Sequence, residues 1–296
     1  MLSTQPVESF RNLHARVAQL LSEQEKSPVS SSPQLALGLD QPRPLQKGVS
    51  TAANSVAEFL NLVSASVPDG DVYLFGGVLR DLALYGKKGF KSDIDLVVEG
   101  DWSDLVSYID HIGARKNKFG GYRLIVGEWP VDIWNAEETW AIKQGHVAYQ
   151  GIASLLDTTV LNWDAILMNW RTGNFVSHPL YLEMLQNRTL HVVLEQNPNP
   201  LGMAVRVFRH LCMKDAKRIS TAAANYLARC TSTYSYDVLC QSERKSYGNN
   251  KIELAHYQTF RSFAEIDVTD IHKRWEVATE IVSRQHELWM GDLIAV

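Results

Sequence analysis

Cysteine is scarce in this chain: Cys212, Cys230 and Cys240 are the only three in 296 residues, an odd number without metal-type spacing. They read as reduced thiols, which excludes a disulfide framework and points to the cytoplasm. Long hydrophobic runs are absent as well. No stretch approaches the ~18 apolar residues of a membrane span, so no membrane partner is expected. The start, MLSTQPVESFRNLHARVAQLL, lacks a basic stretch followed by an apolar core and does not read as a signal peptide. An excess of charge of one sign is missing too. With 29 Lys and Arg against 33 Asp and Glu, the net charge is −4, which argues against a broad nucleic-acid coat but leaves room for a local basic groove. The histidines are scattered, and none pairs with a second ligand at metal-binding spacing. No internal repeat is visible.

What remains is ordinary for a soluble globular protein: 45% hydrophobic and 21% charged residues. At ~100–200 residues per domain, the length suits one large domain or two modest ones. Three regions follow from the pattern. Residues 1–50 hold a helix, with Phe10, Leu13, Val17, Leu20 and Leu21 at helical spacing over 5–26, and then a Ser/Pro-rich linker. Residues 51–197 mix strands and helices. Residues 198–296 read as all-helical. The fold class expected is α+β, a mixed sheet with helices followed by a helical C-terminal region.

The stretch FGGVLRDLALYGKKGFKSDIDLVVEG, Phe75 to Gly100, carries the chemistry. On a strand, residues i and i+2 share a face, so Asp93 and Asp95 project together while Ile94 and Leu96 enter the core. Two adjacent carboxylates repel each other, and a divalent cation removes the conflict. Mg²⁺ prefers oxygen ligands and is commonly shared between carboxylates and substrate phosphates. Taken alone, the pair also reads as exposed acids at a strand edge. Gly76 and Gly77 end one strand and open a helix, where close backbone approach and helix N–H groups favour a phosphate. Arg80, one turn on, has a fork of donors suited to the same anion, and Asp81 is expected to orient a neighbouring arginine. Lys87, Lys88 and Lys91 read as a solvated loop.

The motif GGVLRD…DIDLV resembles the signature of the class II tRNA nucleotidyltransferases (CCA-adding enzymes) and bacterial poly(A) polymerases, of the polymerase β-like nucleotidyltransferase superfamily. The resemblance implies that Gly76 and Gly77 hold a nucleoside triphosphate, ATP or CTP, and that Asp93 and Asp95 hold two Mg²⁺ ions. The segment FGGYRLIVGEWPVDIWNAEETWA is similar to the family's next strand pair and offers Asp132 as a third carboxylate, with a simple surface acid as the alternative. TTVLNWDAILMNW resembles the family's ribose-contacting segment and places Asp164 on its aspartate. Asn162 and Trp163 stand where the family has two arginines, and a helix N-cap is the rival role for Asp164. NPNPLGMAVRVFRHL resembles the base-reading helix. Arg206 and Arg209 fit its later arginines and share a face at a spacing of three. The family's acidic pair is missing, with Asn197 and Asn199 nearby, and its first arginine is Gly202. Ordinary salt bridges are the alternative for the two arginines.

The resemblance covers about Val72 to Leu211. It implies a template-independent, Mg²⁺-dependent nucleotidyltransferase that adds a nucleoside monophosphate to an RNA 3′ end, with tRNA as the expected partner. Trp163, Trp170 and Tyr122 are candidates for base stacking. A nucleotidyltransferase acting on a protein or small molecule is the alternative, and a non-catalytic nucleotide-binding scaffold a third reading. Residues 1–26 are a candidate partner-protein helix.

Overall fold

The run DVYLF, rich in β-branched and aromatic residues, forms strand β1 (Asp71–Phe75), and its neighbours are built on the same alternation. The computed structural model describes residues 5–22, 53, 55–263 and 276–277. Helices α1 (Phe10–Ser22) and α2 (Val56–Ser66) precede β1. Helix α3 (Gly77–Tyr85), β2 (Ile94–Glu99), α4 (Ser103–His111) and β3 (Arg115–Lys116) follow. Strands β4 (Tyr122–Val126) and β5 (Trp129–Asn135) form the expected hairpin, and the short α5 (Trp140–Lys143) comes after it. A second hairpin, β6 (Ile166–Asn169) and β7 (Phe175–Ser177), turns at RTGN. Helix α6 (Tyr181–Gln186) and β8 (Thr189–Leu190) close this part.

The sheet order is β3-β4-β5-β2-β1-β6-β7, with β2 and β5 parallel and the other pairs antiparallel. One face carries Leu74, Leu96 and Ile133, all buried in the main core with Phe59 of α2, Leu79 of α3 and Leu105 of α4. The opposite face carries Tyr73, Val97 and Leu167, which pack with Leu155 and Leu156 into a smaller cluster. Asp95 and Asp132 belong to that second face.

The back half consists mainly of helices α7 (Pro200–Met213), α8 (Thr221–Thr233), α9 (Tyr236–Tyr247) and α10 (Leu254–Phe263). It is not all-helical, contrary to the expectation. Strand β9 (Arg218–Ile219) pairs in parallel with β8 and with β10 (Glu276–Val277). Ser55, Ser220 and Ser235 each cap a helix by accepting from the backbone N–H three residues on. The linker lies outside the described residues; of the segment IHKRWEVATEIVSRQHELW only Glu276 and Val277 are described, and they form strand β10 rather than a helix. Among the described residues no helix is long and apolar enough to cross a membrane.

The halves share one core, which runs from Val7 to Phe260. Helix α1 is part of it. Leu13, Val17, Leu20 and Leu21 are buried, and Arg16 donates to the carbonyls of Leu82 (2.8 Å) and Ala83 (3.1 Å), near the end of α3, where a cation is favoured. The apolar face offered to a partner protein is therefore used inside the chain. Trp163 is fully buried between the halves and donates from Nε1 to the carbonyl of Thr189 (2.7 Å). Trp163→Ala is expected to cost about 3–5 kcal/mol, read as a lower urea midpoint.

Candidate active site

Cross-strand register assembles the site. Phe75 on β1 lies opposite Asp95 on β2, Asp95 opposite Asp132 on β5, and Asp132 opposite Arg123 on β4. Because directly paired residues share a face, the row runs unbroken across four strands. Asp93 sits two residues before Asp95 on the same side. The chain leaves β1 at Phe75 directly into Gly76 and Gly77, so the glycine turn stands beside the carboxylates.

Gly76 adopts φ 64°, ψ −114° as the N-cap of α3, a conformation that disfavours any side chain. Its N–H donates to the carbonyl of Ile166 (3.0 Å), and its own carbonyl accepts from the N–H of Arg80 (3.0 Å). A Cβ at Gly77 would lie 3.0 Å from Ser92 Oγ and 3.2 Å from Ser92 Cβ, so that turn is close-packed as well as sharp.

Beneath the turn lies a buried charge cluster. Arg80 donates from Nε to Asp81 (2.9 Å), from one terminal nitrogen to Asp164, and from the other to Ser92 Oγ (2.9 Å). Ser92 donates to Asp81 (2.7 Å), and Lys214, just past α7, donates to the same carboxylate (2.7 Å). The expected Arg80–phosphate contact gives way to this geometry: the guanidinium points into the cluster and holds the turn. Asp81 orients Arg80, as expected. Burial would raise the Asp81 pKa, but the Arg80 and Lys214 cations outweigh it and hold the group well below the usual carboxylate range. Asp164 is likewise lowered, with Arg80 overcoming burial. It is no helix N-cap, since strand β6 follows it. Burial and then the Arg80 charge push His210 down to about 3, so its ring is neutral.

The carboxylates face the opposite problem. Burial first, then the charges of Asp132 and Asp93, push Asp95 up to about 8, with Arg206 pulling the other way. Burial also raises Asp93. Arg123, which sequence reasoning passed over, answers part of this. It donates from Nε to one oxygen of Asp132 (2.8 Å), and from a terminal nitrogen to the other (2.5 Å) and to Asp93 (2.9 Å).

The two helix arginines separate. Arg206 is exposed, and its charge acts on both Asp95 and Asp164. Arg209 turns the other way, donating to Glu243 and to Asn249 (3.1 Å) with its guanidinium 4.0 Å from the centre of the Tyr247 ring. Glu243 is fully buried, so Arg209 holds α7 to α9 rather than reaching the site. Arg209→Met is expected to lower stability by about 3 kcal/mol, as for breaking a buried ion pair, and to leave nucleotide binding unchanged; thermal melts and nucleotide titration separate the two.

None of the three aromatic candidates is presented for stacking. Trp163 is core, Tyr122 is buried beside Trp102, and Trp170 donates to Asn61 (2.8 Å) at α2. Asn162 is also structural. It donates to the carbonyl of Thr189 (3.1 Å) and accepts from the N–H of His191 (2.8 Å). Asn199 caps α7 by accepting from the N–H of Gly202 (3.0 Å), and a Cβ at position 202 would come within 2.3 Å of the Asn199 amide nitrogen. A capped helix start thus stands where the sequence resemblance implies a base-reading helix. Asn169 accepts from the N–H groups of Arg171 (2.9 Å) and Thr172 (3.0 Å) and shapes the β6–β7 turn. Lys87, Lys88 and Lys91 are exposed.

As a donor set, Asp93 and Asp95 suit Mg²⁺: carboxylate oxygens on one face, mutually repelling, beside a turn open to phosphate. Asp132 is turned onto Arg123, and among the described residues no group of three ligating side chains has metal-holding geometry.

No family model matches the chain, and no curated protein matches it by sequence. Solved structures do. A tRNA-processing enzyme in an apo form aligns with a TM-score of 0.51 at 16% identity, covering 79% of this chain and 61% of its own. The Thermotoga maritima CCA-adding enzyme complexed with tRNA aligns at 0.50 and 16%, covering 78% and 68%. The chain has the fold of the CCA-adding enzymes. That bears out the α+β class and the class II tRNA nucleotidyltransferase-like fold expected from the GGVLRD…DIDLV motif. The chain spans about two thirds or less of the length of these CCA-adding and tRNA-processing structures.

Proposed function

We propose that the protein is a nucleotidyltransferase that transfers a nucleoside monophosphate from ATP or CTP to an RNA 3′ end, with tRNA as the acceptor. One observation carries the reading: on the fold of the CCA-adding enzymes, the strand register pairs Asp95 with Asp132 and with Phe75, the residue before the Gly76–Gly77 turn, and Arg123 ties Asp93 to the same row. Gly76 and Gly77 let backbone approach the triphosphate, and the first N–H groups of α3 point toward it. Arg80 and Asp164 fix that turn from below. Arg206 reaches in from α7 to meet phosphate or ribose. Asp93 and Asp95 hold Mg²⁺, which neutralises phosphate charge and supports in-line attack when bound. The rest of catalysis is positioning and charge complementarity.

The test is transfer itself. Protein is incubated with Mg²⁺, total tRNA and each α-labelled nucleoside triphosphate in turn, beside an Asp93→Asn, Asp95→Asn control. Label on tRNA that disappears in the control supports the reading. Label found only on a protein or small molecule from added lysate supports a different acceptor, a reading favoured by the capped start of α7, where Asn199 and Gly202 stand in place of an acidic pair and an arginine.

A further inference from the structure

The observation that the two-metal expectation does not absorb is Arg123. It stands directly opposite Asp132 across the β4–β5 hairpin, a register fixed by the two-residue turn at Gly127 and Glu128. Its contacts take both oxygens of Asp132 and one of Asp93. The next residue in the same row is Arg115 on β3, opposite Arg123, which adds positive charge at the sheet edge.

We propose that Arg123 is a resident cation of this site. Its guanidinium occupies one of the two cation positions that the three carboxylates can serve, so the site takes a single divalent ion, on Asp95 and the Asp93 oxygen that Arg123 does not contact. The inference rests on the nucleotidyltransferase reading and narrows it. Charge supports it as well as geometry. With all three carboxyls ionised, the state a divalent ion favours, Asp93, Asp95, Asp132 and Arg123 together carry two negative charges, which one such ion cancels. A second ion would leave an uncompensated excess beside a guanidinium and in reach of Arg115 and Arg206. It would also have to take Asp132 from a two-point hydrogen-bonded contact with Arg123, the geometry in which arginine binds carboxylate best. Arginine cannot withdraw by losing its proton.

The experiment is a Mn²⁺ titration of the full chain without nucleotide, followed by the electron paramagnetic resonance of the free ion. Wild type is expected to bind about one ion, and Arg123→Gln about two. Arg123→Lys keeps the charge and is expected to stay at about one. The Arg123 side chain is 42% exposed, so these changes leave the core alone; near-UV circular dichroism equal to wild type verifies the fold, while the urea midpoint of Arg123→Gln is expected to fall modestly as carboxylate repulsion goes unrelieved. Wild type binding two ions, or Arg123→Gln indistinguishable from wild type, would overturn the inference and leave the proposed function standing. No Mn²⁺ binding by any of these proteins would overturn the nucleotidyltransferase reading, and this inference with it.

Discussion

Asp95→Asn is expected to abolish nucleotide transfer while making the fold no less stable. Asp95 lies in the middle of the row, flanked by Asp93 along its own strand and Asp132 across the parallel pair. The loss in kcat should be at least about 10³-fold, since removing one donor to a developing oxyanion already costs ~10²–10³. Asparagine keeps the shape and removes a buried carboxyl that, as pH rises through about 8, becomes one of three like charges. The folded protein is thereby relieved of repulsion that burial intensifies, and the melting temperature should hold or rise. Activity and stability moving apart is the signature of a residue kept for chemistry. A variant that melts earlier and still transfers would remove Asp95 from the site. Asp93→Asn should show the same loss with a smaller stability gain, because Arg123 already offsets part of its charge.

Much of this site was legible because its determinants are local. Period two put Asp93 and Asp95 on one face, and the glycine pair marked the turn. The hairpin brought Asp132 alongside. The same hairpin also gave away Arg123: a two-residue turn at Gly127–Glu128 pairs 126 with 129 and therefore 123 with 132. What hid Arg123 was attention to acids, not lack of signal. Arg206 and Arg209 were a different case. A spacing of three puts them within one broad helix face, but α7 packs on α9, and only Arg209 lies on the packed side while Arg206 stays exposed. The Lys214–Asp81 contact joins residues 133 apart, and no local pattern reports such a pairing. Helix α9 lay inside the region read as helical but shows little apolar periodicity, because YDVLCQSERKSY is mostly polar; its ends are marked by Ser235 at the start and Gly248, at φ 71°, at the end. Strands β8 and β9 are two residues each and exist only by pairing across the two halves.

Asp81→Ala is expected to be the most destabilising single change in the charge cluster, costing about 3–5 kcal/mol, as when one partner of a buried ion pair is removed. For a chain of this size that is a fall of order 10 °C in melting temperature. Asp81 is wholly buried and is a counter-ion for both Arg80 and Lys214, so truncation leaves Arg80 with Asp164 alone and takes the carboxylate partner from Lys214. The damage should also reach the site, because Arg80 fixes the backbone that Gly76 and Gly77 present; nucleotide affinity should fall along with stability. The pH dependence follows from the signs. Asp81 has its folded pKa lowered, so its contribution is complete above the unfolded carboxylate value near 4 and is lost as pH falls below it. His210 is lowered from 6.5 to about 3, with Arg80 and Lys214 opposing its protonation and Asp164 favouring it. Below pH 6.5 the unfolded chain takes up a proton that the folded chain refuses, so stability falls toward acid by up to ~1.4 kcal/mol per pH unit until about pH 3. Between pH 7 and 5 that is about 2 kcal/mol from His210 alone. Urea midpoints across this range should show it, and His210→Gln should flatten the slope by about one proton's worth. An unchanged slope in His210→Gln would mean that the ring takes up its proton in the folded state, and the neutral, buried histidine beside Arg80 would have to be abandoned.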